Sequence, residues 1–173
     1  TQGEKFAADD MPPAITLHTA PDLRWARRDI KSTNLLAQVL AKHAAHMAGD
    51  YEALMTDQDG YVTEAGSSSF FFIKDNELFI RPVTNEILHG ITRQTMLRVA
   101  QQMDLKFVER FYKLDEVLKA DEALITASSI YVLPVSKIDD HVIADGQAGR
   151  FTVALRKAYL ETARAEFYQP TDI

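Results

Sequence analysis

The sequence contains no cysteine among its 173 residues. Disulfides, thiolate nucleophiles and zinc–thiolate sites are therefore excluded, and the absence favours a cytoplasmic location, where thiols stay reduced. No run approaches the roughly 20 apolar residues that a membrane-spanning helix needs, and the polar opening lacks the apolar core of a secretory signal. We therefore expect a soluble protein with no membrane partner.

The chain also lacks an excess of basic residues, because 19 Lys and Arg stand against 25 Asp and Glu, for a net charge of −6. Without surplus cations to displace phosphate counterions, a nucleic-acid partner is not expected. The short motifs of serine hydrolases and nucleotide-binding loops are absent. His43 and His46 lie one helical turn apart, but no carboxylate completes a ligand set, so no metal is predicted. Small molecules or other proteins remain as partners.

What is present is an ordinary globular composition, with 46% hydrophobic and 25% charged residues. The length suits one domain with a core of useful size. Residues 1–13 are polar and end in two prolines, which predicts a connector from a missing N-terminal domain. Residues 14–173 are predicted to form the large domain.

Hydrophobic periodicity predicts an α+β domain. Alternating patterns indicate strands, and apolar residues at helical spacing indicate three helices, the first starting at Ser32 or Asn34 and stopping at Gly49. Helices and strands mix without regular βαβ alternation. The predicted strands are 14–19, 51–56, 61–63, 69–74, 77–81, 105–109, 122–127 and 131–136, with a further extended stretch at 23–30, and the other two helices are 91–103 and 147–167.

Four segments could carry chemistry. Lys31 sits where an extended segment meets a helix, and a desolvated amine there is suited to a Schiff base. Glu64 precedes a run of serines and an aromatic strand, which suggests a polar rim over an apolar floor. Gly90 before a helix suggests a phosphate site, to which Ser128 in a second polar turn could contribute. Taken singly, such segments are more commonly a surface lysine, a turn with a solvated glutamate and ordinary polar turns.

The order of these segments is more specific than any one of them. The strings RRDIKSTNLLAQVLAKHAA, YEALMTDQDGYVTEAGSSSFFF, NEILHGITRQTML and DEALITASSIYVLPV follow one another along the chain. Together they closely resemble the fold-type IV pyridoxal-phosphate enzymes, most closely the D-amino acid aminotransferases. From about Ile15 to the last helix, the resemblance implies the large C-terminal domain of that fold, with a curled mixed sheet, or pseudo-barrel, flanked by helices.

The resemblance also implies a role for each candidate residue. Lys31 is then the catalytic lysine that forms the Schiff base with pyridoxal 5′-phosphate and shuttles a proton. Glu64 matches the acid that keeps the pyridine nitrogen protonated, and Leu88 the apolar residue against the ring. The backbone amides of Ile91 and Thr92 and the hydroxyl of Ser128 match the groups that bind the cofactor phosphate. Ser67 and Ser68 match small polar residues that line the cofactor.

The function implied is transamination between a D-amino acid of the D-alanine type and an α-keto acid. Branched-chain aminotransferase and aminodeoxychorismate lyase are alternatives within the fold, and a catalytically incompetent fragment is the alternative outside it. Leu36, where the branched-chain subfamily tends to have Tyr, favours the D-amino acid branch, while Ser69 replaces the family's usual Asn. The family's small N-terminal domain, with its phosphate arginine and carboxylate trap, is missing. A homodimer is expected, and Phe70–Phe72 and the apolar side of helix 35–47 could contribute to its interface, although both are more often simply core.

Overall fold

The computed structural model describes residues 11–167, and most of the predicted connector therefore lies outside the described residues. The described chain forms an α+β domain. Its strands are β1 Ile15–Pro21, β2 Glu52–Thr56, β3 Val62–Ala65, β4 Ser69–Lys74, β5 Glu77–Ile80, β6 Phe107–Glu109, β7 Glu122–Ala127, β8 Tyr131–Ile138 and β9 His141–Val142. Its helices are α1 Leu36–Met47, α2 Ile91–Gln102, α3 Leu114–Val117 and α4 Arg150–Phe167.

All nine strands of the described chain belong to one mixed sheet, in the order β3-β2-β1-β8-β7-β4-β5-β6, with β9 paired to β8. β1 runs parallel to β2 and β8, and β5 parallel to β6. The hairpins β2–β3 and β4–β5 are antiparallel, as the turn signals between them predict. The parallel pairs join strands that are distant in sequence, and no local pattern indicated them.

The short connection between β3 and β4 requires the sheet to curl. Five strand spacings separate these strands in the sheet order, which on a flat sheet would be about 24 Å. Only four Cα steps join Ala65 to Ser69, and they reach at most about 15 Å. A tight turn spans the connection, since the amide of Ala65 donates to the carbonyl of Ser68 at 2.9 Å. The sheet therefore bends into the half-barrel that the resemblance implied.

Strand β4 is buried on both of its faces. Phe70 and Phe72 point into the core inside the curled sheet, whereas Phe71 and Ile73 point into the core between the sheet and helices α2 and α4. Phe70, Phe71 and Phe72 are all at most 3% exposed. The prediction that this aromatic run contributes to an interface between subunits is therefore wrong.

Helix α1 starts later than predicted and buries a different side. Its N-cap is Leu35, without a side-chain hydrogen bond, so the predicted caps Ser32 and Asn34 are wrong. The chain first passes along a cavity, which Ser32 helps to line. The predicted end is correct, because Gly49 follows the last turn with a φ of +84°. The small residues Ala41 and Ala45 face the sheet, and the larger apolar residues of the helix face outward.

The extended stretch predicted at 23–30 is not a strand. The amides of Arg28 and Asp29 donate to the carbonyl of Asn85 at 2.8 and 3.4 Å, and the segment forms turns. Half of its eight residues are charged, and Arg24 pairs with Asp22 and Arg27 with Asp29 instead of facing two sides of a sheet. The sequence also did not indicate the four-residue helix α3.

None of the helices within residues 11–167 combines the length and apolar character needed to cross a membrane. In the same range, no three His, Asp or Glu side chains lie together as a possible metal site. The cytoplasmic location stays a prediction.

Candidate active site

A cavity of about 560 Å³ opens where the segment after β1, the end of β3, the start of α2 and the end of β7 meet. The curl of the sheet brings these parts of the chain together. All eight residues singled out from the sequence line this cavity: Lys31, Glu64, Ser67, Ser68, Leu88, Ile91, Thr92 and Ser128. Their proposed roles stay predictions, but the structure gathers them around one space.

Lys31 lies in the segment between β1 and α1, at the exposed side of the cavity. Its amine makes no hydrogen bond or ion pair with another residue of the described chain. An unpaired amine beside a cavity is available to a ligand, and a primary amine is the group that condenses with a carbonyl.

Glu64 lies in β3 and is buried, with 8% of its side chain exposed. Its Oε1 accepts hydrogen bonds from Arg24 Nη1 at 2.9 Å and from the amide of Leu88 at 2.8 Å. Burial raises the pKa of Glu64, and the charge and hydrogen bonds of Arg24 oppose this without cancelling it. The carboxylate is thus held in place at the cavity wall.

The sequence analysis did not identify Arg24, which also lines the cavity. Its guanidinium binds Asp22 through two nitrogens, Nε at 2.9 Å and Nη2 at 2.7 Å. Thr63 donates to the same carboxylate at 2.7 Å. Burial would raise the pKa of Asp22, but the hydrogen bonds and charge of Arg24 outweigh it and hold that pKa below its usual range. Asp22 and Arg24 come just after the end of β1, and charged residues at a strand end were the sequence signal that could have identified them.

The start of α2 provides unpaired donors at the cavity. Gly90 is the N-cap and gives no side-chain hydrogen bond, so the first amides of the helix, including those of Ile91 and Thr92, have no side-chain cap. These amides and the helix dipole favour an anion. The hydroxyl of Ser128, after β7, lines the same cavity.

The β3–β4 connection shapes another part of the wall. Ser67 accepts a hydrogen bond from Lys42 of α1 and donates one to Glu52 of β2, both at 2.8 Å. A side chain at Gly66 would come within 2.7 Å of both Lys42 and Glu52, so the glycine leaves room for this pair. Ser67 is therefore tied to the protein, while Ser68 and Ser69 also line the cavity.

The cavity wall fits an anionic ligand. Four basic side chains line it against the single carboxylate of Glu64, although the chain as a whole is acidic; the four are Arg24, Arg28, Lys31 and Arg93. Arg28 Nε pairs with Asp22 Oδ2 at 3.4 Å, but two buried polar atoms at the wall, Gln38 Oε1 and Thr126 Oγ1, lack a hydrogen-bond partner. Buried polar atoms are normally satisfied, so these are open to a ligand. A phosphate-bearing pyridine aldehyde matches this donor set.

Comparison with known proteins identifies the family. The sequence profile described as amino-transferase class IV matches residues 2–138. D-alanine aminotransferase from Bacillus licheniformis is 40% identical over 152 residues, which cover 88% of this chain and 53% of that protein. D-alanine aminotransferase from Staphylococcus haemolyticus is 38% identical over 151 residues, covering 87% and 53% respectively. The chain belongs to the class IV aminotransferase family.

Solved structures agree with this fold. The T.th. branched-chain amino acid aminotransferase with pyridoxamine 5′-phosphate superimposes with a TM-score of 0.81 at 32% identity, covering 88% of this chain and 51% of that one. The branched-chain enzyme of Thermobaculum terrenum in its PLP form gives a TM-score of 0.82 at 26% identity, covering 91% and 53%. At the level of the family, the fold, the aminotransferase class and the cofactor implied by the resemblance are confirmed.

The chain spans about half the length of the curated relatives that it matches. The activity, substrates and partners of the whole protein are therefore taken up as proposals.

Proposed function

We propose that the protein catalyses a pyridoxal-phosphate-dependent transamination between a D-amino acid of the D-alanine type and an α-keto acid. The observation that carries this proposal is the cavity that unites an unpaired lysine amine, a buried carboxylate and the uncapped start of a helix. These are the three kinds of group that the aldehyde, the ring nitrogen and the phosphate of this cofactor require.

Bound pyridoxal phosphate supplies an aldehyde carbon and a ring that takes up the electron pair released at the α-carbon of the amino acid. Lys31 Nζ binds the cofactor, and as a neutral amine it then takes the proton from the α-carbon and delivers it to C4′. Glu64 holds the proton of the ring nitrogen. The amides of Ile91 and Thr92 and the hydroxyl of Ser128 bind the phosphate.

The remaining lining residues orient and enclose the cofactor in this proposal. Leu88 packs against the ring, where an apolar contact excludes water, and Ser67 and Ser68 border it. The lysine, glutamate and phosphate groups come from separate parts of the curled sheet, so each holds a different end of the same ligand. We assign residues 14–173 to the cofactor-binding domain.

The choice of D-amino acids rests on the curated relatives reported above, which are D-alanine aminotransferases at 38–40% identity. The solved branched-chain aminotransferases match the fold at lower identity, and a branched-chain substrate is the alternative that they favour. Leu36, in place of the tyrosine typical of that subfamily, supports the D-amino acid branch.

Two partners complete the proposal. A preceding N-terminal domain, as the doubled length of the relatives suggests, would supply the phosphate arginine and the carboxylate trap that the resemblance implies. A second copy of the chain would form a homodimer.

The test uses the protein supplied with pyridoxal phosphate. Borohydride reduction should fix the cofactor on the peptide that carries Lys31, and D-alanine with α-ketoglutarate should yield pyruvate. Lys31→Ala should abolish both, whereas Lys157→Ala, at an exposed position of α4, should abolish neither. Turnover of L-leucine but not D-alanine would replace the D-amino acid assignment with the branched-chain one, and labelling of another lysine would contradict the role of Lys31.

A further inference from the structure

Arg24 connects two buried carboxylates at the wall of the cavity. Its Nε and Nη2 grip Asp22, and its Nη1 binds Oε1 of Glu64 at 2.9 Å. The exposed fractions of the three side chains are 7% for Arg24, 0% for Asp22 and 8% for Glu64. A guanidinium held at two nitrogens by one carboxylate has little freedom left, so it presents its remaining nitrogen in a fixed direction.

The two carboxylate oxygens of Glu64 differ in their hydrogen bonds. Oε1 accepts both hydrogen bonds, from Arg24 and from the amide of Leu88. Oε2 accepts no hydrogen bond from another residue of the described chain. Because Arg24 binds Oε1, Oε2 remains available to accept a hydrogen bond from a ligand.

Arg24 also determines whether that oxygen is charged. A buried carboxylate without a cation takes up a proton, because burial disfavours its ionised form. Arg24 is the cation in direct contact with Glu64, Asp22 holds Arg24, and Thr63 donates to Asp22. The charge of Asp22 acts on Glu64 in the opposite direction, and Arg93 is another cation that interacts with Glu64 electrostatically. Lysine could not replace Arg24 fully, since an ammonium group cannot form the fork on Asp22 and reach Glu64 together.

We propose that Arg24 is a positioning residue of the transamination site: it keeps Glu64 ionised and leaves Oε2 free to accept the proton-bearing ring nitrogen of the cofactor. This inference rests on the proposed function. Of the carboxylate that faces the ligand, Arg24 binds only Oε1, and Asp22, itself held by Thr63, fixes Arg24.

The first measurement needs no cofactor. In protein labelled with ¹³C at the glutamate carboxyl carbon, the Glu64 signal should titrate at higher pH in Arg24→Gln than in the unmodified protein. Arg24→Lys should return the midpoint most of the way, because it restores the charge. Arg27→Met is the matched control, since Arg27 lies three residues away, is half exposed and pairs only with Asp29 among the described residues. It should leave the Glu64 midpoint unchanged.

The second measurement uses pyridoxal phosphate labelled with ¹⁵N in the ring. The ring-nitrogen signal should be that of the protonated form in the unmodified protein and in Arg27→Met, and should move toward the unprotonated form in Arg24→Gln. A role of Arg24 in folding alone would lower thermal stability without moving this signal. Unchanged Glu64 and ring-nitrogen signals in Arg24→Gln would overturn the proposal.

A third measurement applies if Arg24→Gln does not fold. In the unmodified protein, the ¹⁵N signal of the Arg24 guanidinium should shift at the same pH as the Glu64 carboxyl carbon, and separate titrations would overturn the proposal. Failure of the proposed function has a different signature. The unmodified protein would then fail to bind pyridoxal phosphate at Lys31, while the cofactor-free titrations would still report on Arg24 and Glu64.

Discussion

At the scale of single residues, burial decides what Glu64 can do. A carboxylate at a strand end is usually solvated, but here the curled sheet encloses it and Arg24 supplies its counter-charge. The Glu64 carboxylate is therefore fixed in position and largely shielded from water. Such a group can hold a proton on a ligand nitrogen throughout a reaction cycle.

Glu64→Gln should retain the bound cofactor but slow proton removal from the substrate's α-carbon by roughly two orders of magnitude or more. A neutral ring nitrogen stabilises the developing negative charge poorly, and each ~1.4 kcal/mol of barrier is a tenfold change in rate. Deuterium exchange at the α-carbon of D-alanine measures this step. Glu116→Gln, which alters a surface pair with Arg110, is the control. Equal exchange rates in the two variants would remove Glu64 from the mechanism.

Tyr112 is a second residue whose chemistry is set by burial. Its ring is fully buried and its hydroxyl donates to the carbonyl of Phe70 at 3.3 Å. Burial raises the pKa of Tyr112, and nearby arginines only partly oppose this. Above a pH of about 10, the unfolded chain releases this proton while the folded chain keeps it, so folded-state stability is lost as the pH rises.

Tyr112→Phe should therefore flatten the alkaline side of the stability profile. Between pH 10 and 12, the free energy of unfolding of the unmodified protein should fall by up to about 1.4 kcal/mol per pH unit more than that of the variant. Urea denaturation at a series of pH values measures the difference. Tyr61→Phe, at a half-buried ring, is the comparison, and parallel profiles for Tyr112→Phe and the unmodified protein would contradict the prediction.

At the scale of elements, the start of α4 depends on a side chain from another element. Glu122 of β7 accepts the amides of Phe151 and Thr152 at 3.0 and 2.8 Å and the hydroxyl of Thr152 at 2.7 Å. Gly149 leaves room for this carboxylate, because a Cβ there would lie 2.0 Å from Glu122. A tertiary contact thus takes the place of a local N-cap.

Glu122→Ala should destabilise the domain by about 2 to 3 kcal/mol, because it leaves buried helix amides unpaired and removes a charge-assisted hydrogen bond. The free energy of unfolding from denaturant titration measures the loss. Glu161→Ala removes an exposed carboxylate from the same helix and should change stability little. A similar small effect from both substitutions would show that Glu122 does not support α4.

At the scale of the whole molecule, α1 presents an apolar surface to its surroundings. Leu36, Val39, Leu40 and Met47 lie at helical spacing and are each more than half exposed. We call these four residues the α1 outer face. An apolar stripe of this kind marks an interaction surface, and a second copy of the chain is the partner proposed above.

Leu36→Lys combined with Val39→Lys should convert a dimer into a monomer, because it places unpaired charges in an apolar interface. Sedimentation velocity at micromolar concentration reads out the mass. Val153→Lys, at an exposed apolar position of α4, should leave the dimer intact. A dimer that survives the double substitution would show that the α1 outer face is not its interface, and a monomeric unmodified protein would contradict the homodimer itself.

The sequence by itself determined most of the strands, the hairpin turns between them and eight of the residues that line the cavity. The short apolar runs of β4 and β7, the turn at Asp75 and Asn76, and the glycines bounding α1 and α2 are local signals, and local sterics and solvent contact suffice to produce them. The order of the segments around Lys31 and Glu64 indicated one site through its resemblance to the fold-type IV pyridoxal-phosphate enzymes.

Only the tertiary structure decided which side of α1 is buried, that residues 23–30 form turns, and that Arg24 meets Glu64. Arg24 and Glu64 are 40 residues apart, and their contact exists because β1 and β3 both pair with β2, which brings β3 close to the end of β1. The small side chains Ala41 and Ala45 allow α1 to approach the sheet closely, which leaves its larger apolar residues outside. Both outcomes depend on the shapes of elements distant in sequence, which a local pattern does not contain.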